Sequence, residues 1–275
     1  MQPQGDLIAA PRVQPAPLHP RNRPFLLAVC RPPGAIADDE RSMILTAGGL
    51  HARHDLESLH LLDPQAPEPE DLDLQAYAGV IITGSPLSLN RHGRPSPEQQ
   101  HLSRRVLHLA QRLVEEDVPS LGLCFGLQAV VLALGGSLRD DVGEELQAPW
   151  LALTEEGRQD PLTSVLPQRF RAYVGHAESV SGLPGGGVLL VSGERCPIQM
   201  ARWGRHVYGT QFHPEITTAG MRLRIAAYGD TYYAASERST VLERCESADV
   251  REANSLVTRF IQLCRSATAE AEAQK

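Results

Sequence analysis

The sequence predicts an α/β fold: a mostly parallel central sheet with helices on both faces and an additional antiparallel strand region. Two patterns carry this. Short apolar runs alternate with amphipathic stretches through the first half of the chain, and beyond about residue 145 extended runs follow one another through tight turns. The size agrees. A chain of 275 residues, 42% hydrophobic and 21% charged, can bury a large core without disulfide staples.

The elements follow in order. Phe25 to Cys30 is an apolar run after Pro24 and suits a buried strand. Asp38, Asp39 and Glu40 lead an amphipathic stretch that stops at Gly48-Gly49, which is helix punctuation. Leu56 to Leu62 reads as a second strand, followed by a Pro/Glu-rich loop, and Gly79 to Thr83 as a third, stopped by Gly84-Ser85-Pro86. Ser96, Pro97 and Gln99 form a capping box with Pro at the first helical position, and Leu102, Val106, Leu109 and Leu113 then share one helix face. Ser120 to Leu123 is a buried strand running into Cys124, and Phe125 to Leu134 a helix ended by Gly135-Gly136. Strands are expected at Pro149 to Thr154, Arg169 to Val174, Val188 to Ser192, Pro197 to Arg202 and His206 to Phe212, with a hairpin turn at Trp203-Gly204. A tail expected to be helical from Gly220 closes with a helix in which Ala253, Leu256, Val257, Phe260, Ile261 and Cys264 share a face.

Composition narrows the function classes. A net charge of −7 lacks the basic footprint of a nucleic-acid binder. The five cysteines are scattered with no CxxC pair, against a zinc-ribbon or thioredoxin-like site and in keeping with a reducing cytoplasm. No apolar run reaches bilayer length, and residues 1–23 are rich in Pro and Gln without the apolar core of a signal peptide. Residues 1–23 are expected to be a disordered lead-in, 24–266 one domain and 267–275 a flexible tail. No cofactor is implied. His51 and His54, and likewise His101 and His108, lack an acid or Cys to complete a metal site and read as surface histidines.

Three segments carry chemistry. In Gly122-Leu-Cys124-Phe-Gly126-Leu-Gln128, small residues flank a Cys where a strand meets a helix. That setting permits a nucleophile elbow, and the amides of the following helix would favour thiolate over thiol and stabilise an oxyanion. In Gln211-Phe-His213-Pro-Glu215, Pro214 holds His213 extended at a strand end, where it can exchange a proton with a thiol while Glu215 fixes its tautomer. Thr83-Gly84-Ser85-Pro86 is a turn able to present the Ser85 amide, beside the Phe125 amide, to a carbonyl oxygen.

Together these segments resemble the class I (triad) glutamine amidotransferases, whose glutaminase unit has a flavodoxin-like sheet. The spacing of 89 residues between Cys124 and His213 is typical of that family. The resemblance runs from about Phe25 to Cys264 and implies Cys124, His213 and Glu215 as catalytic triad, Ser85 and Phe125 as oxyanion hole, and Gly84, Gln128, Val174, Gly175 and His176 as substrate contacts. Tyr173-Val-Gly-His-Ala-Glu178 looks like the family's Ser-His-Gly-Asp turn, with Gly, Ala and Glu in place of Ser, Gly and Asp. Arg195-Cys-Pro-Ile-Gln199 resembles stand-alone members related to the glutaminase part of GMP synthase.

The implied substrate is L-glutamine, with ammonia either passed to a synthetase subunit on another polypeptide or, like another amine, released directly, because residues 216–275 carry no phosphate-binding glycine motif. Self-association is left open. Two rivals remain. A γ-glutamyl hydrolase would use the same Cys and His on γ-glutamyl amines or peptides, although Phe125 stands where bacterial members acting on such amines are expected to have Arg. A non-catalytic module would have kept the fold alone.

Overall fold

The computed structural model describes residues 23–89 and 94–273; the lead-in of 1–22 and the last two residues lie outside this. Nine strands form the main sheet in the order β2-β1-β3-β4-β13-β12-β11-β7-β8. The strands are β1 Phe25–Val29, β2 Leu56–His60, β3 Gly79–Ile82, β4 Ser120–Leu123, β7 Trp150–Leu153, β8 Arg169–Arg171, β11 Val188–Gly193, β12 Met200–Trp203 and β13 Val207–Thr210. β2, β1, β3, β4 and β13 pair in parallel, while β12, β11, β7 and β8 extend the sheet antiparallel. β4, the strand that delivers Cys124, therefore lies between two parallel neighbours, β3 and β13.

The helices are α1 Ala35–Gly48, α2 Pro97–Glu115, α3 Phe125–Ala133, α4 Glu155–Gln159, α5 Thr218–Tyr232, α6 Arg238–Glu246 and α7 Arg251–Ala273. Alternation along the strands divides the core. Phe25 and Leu27 pack toward Ile44 of α1 and Leu256, Phe260 and Ile261 of α7, whereas Leu26 and Ala28 pack toward Leu102, Val106 and Leu109 of α2 and Leu127 and Val130 of α3. Helices thus cover both faces, as the alternating pattern requires.

Local chemistry explains most boundaries. The Ser96 hydroxyl accepts from the Gln99 amide at 3.1 Å and the Gln99 side chain accepts from the Ser96 amide at 2.8 Å, completing the box that starts α2. Gly49 ends α1 in the left-handed conformation, φ 59°. Gly204, φ 56°, turns β12 into β13 as an antiparallel hairpin with Trp203 opposite Val207. The Pro/Glu-rich loop is held from below by the buried Arg105, which donates to the carbonyls of Leu61, Asp63 and Ala66.

One expected strand is corrected. Arg169 to Val174 is not continuous: β8 ends at Arg171, and β9, Val174–His176, leaves the main sheet to pair with β6, Glu144–Gln147. Tyr173 between them bridges His213, so the interruption brings the chain across the end of β13. A second small pair joins β5, Leu138–Arg139, to β10, Ser179–Val180. At the C-terminus α7 continues past residue 266, the expected domain end, to Ala273. Among the described residues no helix is long and apolar enough to cross a membrane.

Candidate active site

Cys124 occupies a sharp bend between β4 and α3, with φ 50° and ψ −89°, a conformation that costs a non-glycine residue energy and persists only where the surroundings fix it. They do so here. The Cys124 amide donates to the Thr210 carbonyl of β13 at 2.6 Å, and the turn closes on two glycines. A Cβ on Gly122 would stand 2.7 Å from the carbonyl carbon of Gly126, and a Cβ on Gly126 would stand 3.0 Å from the Cβ of Ile82. The Gly-x-Cys-x-Gly pattern is thus a packing requirement of the bend as well as a conformational one.

His213 follows β13. Its amide donates to the Tyr173 carbonyl at 2.8 Å, which fixes its backbone over the end of the sheet. Its Nδ1 lies 2.7 Å from Oε1 of Glu215, and the ring lines the same cavity as Cys124. Burial opposes the imidazolium, but the Glu215 charge and the hydrogen bonds to Cys124 and Glu215 outweigh it and raise His213 to about 10. Glu215 is pushed up by burial, and His213 and Arg224 pull it below the usual carboxylate range. Gln211 donates from Nε2 to the Cys124 sulfur at 3.3 Å.

These groups open on a cavity of about 420 Å³ whose wall includes Cys124, His213 and Ser85. Val174, Gly175 and His176 form another wall, so the turn expected at the substrate does face the same space. The remaining expected residues are placed as follows. Gly84 packs so closely on the ring that an added Cβ would be 3.0 Å from Cε1 of His213. Phe125 is the first residue of α3, its side chain buried and its amide at the helix start beside Cys124. Gln128 is buried and spends its amide on the Glu178 carbonyl at 2.8 Å; it braces the turn from behind and is not part of the cavity wall.

A second group of the same residue types lies nearby. Glu144, His176 and Cys196 have their ligating atoms all within 4.8 Å of one another. Nε2 of His176 is 2.9 Å from Oε2 of Glu144, which also accepts from Gln199 at 2.7 Å, and the Cys196 sulfur is 2.9 Å from the Ser179 hydroxyl. Cys, His and Glu are suitable donors for a zinc-like ion, but in this arrangement the shared carboxylate oxygen already accepts from Gln199 and lies against the His176 ring. Burial raises the thiols of Cys30, Cys196, Cys245 and Cys264, the last two to about 11 and about 12. The sequence did not single out Glu144, Cys196 or Gln211, nor the buried Arg31–Glu40 and Arg224 charges beside Glu215. Gln211 carried a local signal in its adjacency to the His-Pro-Glu run, and Cys196 in its place within the Arg195–Gln199 segment.

Comparison with known proteins bears on the family and the fold. The family model "Glutamine amidotransferase class-I" matches residues 49–227. GMP synthase (glutamine-hydrolyzing) of Thermosipho melanesiensis is 29% identical over 198 residues, which is 72% of this chain and 35% of that protein. GMP synthase (glutamine-hydrolyzing) of Paraburkholderia phytofirmans is 33% identical over 162 residues, which is 54% of this chain and 28% of that protein. The chain thus matches about a third of the length of these curated relatives. In fold, it resembles a glutamine amidotransferase from Thermotoga maritima, with a TM-score of 0.68, 20% identity and coverage of 88% of this chain and 98% of that one. A glutamine amidotransferase from Methylobacillus flagellatus gives a TM-score of 0.63 at 18% identity, covering 90% of this chain and 95% of that one. With a family model spanning more than half its residues and a central parallel sheet that carries a cysteine elbow, the chain belongs to the class I glutamine amidotransferase family.

Proposed function

We propose that the chain hydrolyses the γ-amide of L-glutamine through Cys124, His213 and Glu215 and supplies the ammonia to a synthetase on another polypeptide. One observation carries the reading: Cys124 and His213 line one cavity, and Nδ1 of that imidazole lies 2.7 Å from Oε1 of the Glu215 carboxylate. The sulfur attacks the amide carbonyl carbon, and the carbonyl oxygen takes the negative charge against the Ser85 and Phe125 amides. A donor of this kind lowers a barrier by roughly 3–4 kcal/mol. The C–N bond then breaks, and the Nε2 proton of His213 goes to departing ammonia. Water attacks the thioester carbon while His213 accepts its proton, and the C–S bond breaks to release glutamate and restore the sulfur. Glu215 holds the ring orientation and stabilises its charged form throughout.

Cys196, His176 and Glu144 have the same composition as a triad but suit the role less well. Cys196 is fully buried, its thiol is raised by burial, and its sulfur is engaged by the Ser179 hydroxyl. Cys124 sits at a helix start on the cavity wall. The partner proposal rests on the relatives, which are glutamine-hydrolysing GMP synthases matched over about a third of their length. The decisive test is Cys124→Ala: glutamate release should fall to background while the circular-dichroism spectrum is kept. A fully active variant would overturn the proposal.

A further inference from the structure

Four charged side chains, Arg31, Glu40, Glu215 and Arg224, are buried and act on one another, each less than a tenth exposed. Arg31 donates from Nε and Nη2 to both carboxylate oxygens of Glu40 at 2.9 and 3.0 Å, and from Nη1 to the Tyr228 hydroxyl at 3.2 Å. Arg224 of α5 donates from Nη1 to Asp39 at 2.9 Å and to the Gly220 carbonyl at 3.1 Å.

Two atoms are left over. Oε2 of Glu215 and Nη2 of Arg224 are both buried and have no hydrogen-bond partner, while Oε1 of Glu215 serves His213. A buried carboxylate oxygen without a donor is costly unless a cation lies within its field. The cations in range of Glu215 are Arg224 and Arg31. Arg31 is close to the ring as well: one Cβ placed on Gly84 would be 3.1 Å from its Nη2 and 3.0 Å from Cε1 of His213.

We propose that Arg224, set against the Arg31–Glu40 pair, is a positioning residue that holds Glu215 as an anion and so keeps the ring of His213 oriented for proton transfer. The inference rests on the triad reading above. The groups acting on Glu215 are His213 from its own segment, Arg224 from α5, Arg31 from the loop after β1 and Glu40 from α1; Asp39 and Tyr228 act on the two arginines. The two carboxylates share two cations. Burial and the Glu215 charge both push Glu40 upward, so the cation field is divided between them.

The signs are opposite for opposite changes. Removing the Arg224 charge makes every triad group hold its proton more firmly, and removing the Glu40 charge does the reverse. The experiment is the pH profile of kcat/KM for glutamine hydrolysis in the full chain, with wild type, Arg224→Met, Arg224→Lys, Glu40→Gln and Cys124→Ser side by side. In Arg224→Met the acid limb should move up by on the order of one pH unit, and kcat should fall with little change in KM. Arg224→Lys should keep the wild-type limb, and Glu40→Gln should move it down. A merely structural role would lower activity in both charge variants without opposite displacements. Limbs that superimpose on wild type, that move together, or that move in Arg224→Lys as in Arg224→Met would overturn the proposal. Should Arg224→Met fail to fold, Glu40→Gln decides alone, by a downward limb or its absence. An inert Cys124→Ser with unmoved limbs sinks this inference only, whereas an active Cys124→Ser sinks the triad reading beneath it.

Discussion

Gly122→Ala should disable the site while leaving the chain folded. The added methyl would stand 2.7 Å from the Gly126 carbonyl carbon, 2.9 Å from its oxygen and 3.0 Å from the Leu127 nitrogen, where ordinary contact begins at 3.4 Å. All three are backbone atoms and cannot rotate away, so the start of α3 must retreat by several tenths of an ångström. Its room is small, because a Cβ on Gly126 would itself be 3.0 Å from the Cβ of Ile82. Overpacking of this kind costs about 1–3 kcal/mol, against a total stability of roughly 5–15 kcal/mol. The melting temperature should therefore fall by about 2–12 °C without loss of the folded state. Activity should suffer more. A shift of roughly that size between the Cys124 sulfur and the Phe125 amide misplaces nucleophile against oxyanion donor, and misplacement near 1 Å costs on the order of 10²-fold. Melting followed by circular dichroism, with glutamate release measured on the same preparation, checks both parts. Wild-type kcat together with a wild-type melting temperature would refute the claim that the two glycines define the bend by contact.

Other consequences can be checked separately. Glu215→Gln keeps the shape of the side chain but removes the charge behind His213, and kcat should fall about 10³–10⁴-fold; an unchanged kcat would remove Glu215 from the triad. Iodoacetamide should alkylate Cys124 first, read by peptide mass, and Cys196→Ser should keep most of the glutaminase activity; preferential loss of function in Cys196→Ser would transfer the nucleophile to the second group. Because His213 is raised to about 10 in the folded chain, its charged form adds stability that is complete below about pH 6.5 and disappears as pH rises through about 10. The melting-temperature gap between wild type and His213→Gln should accordingly shrink from pH 6 to pH 10, and a gap independent of pH would contradict the assignment.

What could be read in the chain beforehand is what short-range chemistry decides. Ser96, Pro97 and Gln99 begin α2 because each satisfies a backbone group within one turn. Gly122, Cys124 and Gly126 make the bend because the contacts that forbid larger residues come from the same few residues and adjacent β3. His213 and Glu215 meet over two positions. The break between β8 and β9 was hidden for the opposite reason: Arg169 to Val174 is locally a good strand, and only the pairing of Tyr173 with His213, 40 residues later, interrupts it. The buried charges were hidden in the same way. No local pattern marks Arg31 or Glu40 as buried; their partners Arg224 and Tyr228 come from α5, at sequence separations of 185 for Asp39–Arg224 and 197 for Arg31–Tyr228.

The same limit governs the two cysteine groups, and it shows what a motif contributes. Cys124 with His213 and Glu215, and Cys196 with His176 and Glu144, are identical in composition. Composition therefore cannot choose between them; backbone and surroundings can. Cys124 carries strain at φ 50°, begins a helix and faces a cavity, so its sulfur is held toward a reactant at an energetic cost that the adjoining glycines and the Thr210 carbonyl sustain. Cys196 has no such strain, is wholly enclosed, and hydrogen-bonds to Ser179. A protein retains local strain where the surrounding structure enforces it, and such places cluster at sites of chemistry. If this is the criterion that separates the groups, relaxing the bend at Cys124 should abolish reactivity there without awakening Cys196, so that Gly122→Ala loses rapid alkylation altogether. A transfer of rapid alkylation to Cys196 in that variant would mean that strain was never the deciding difference.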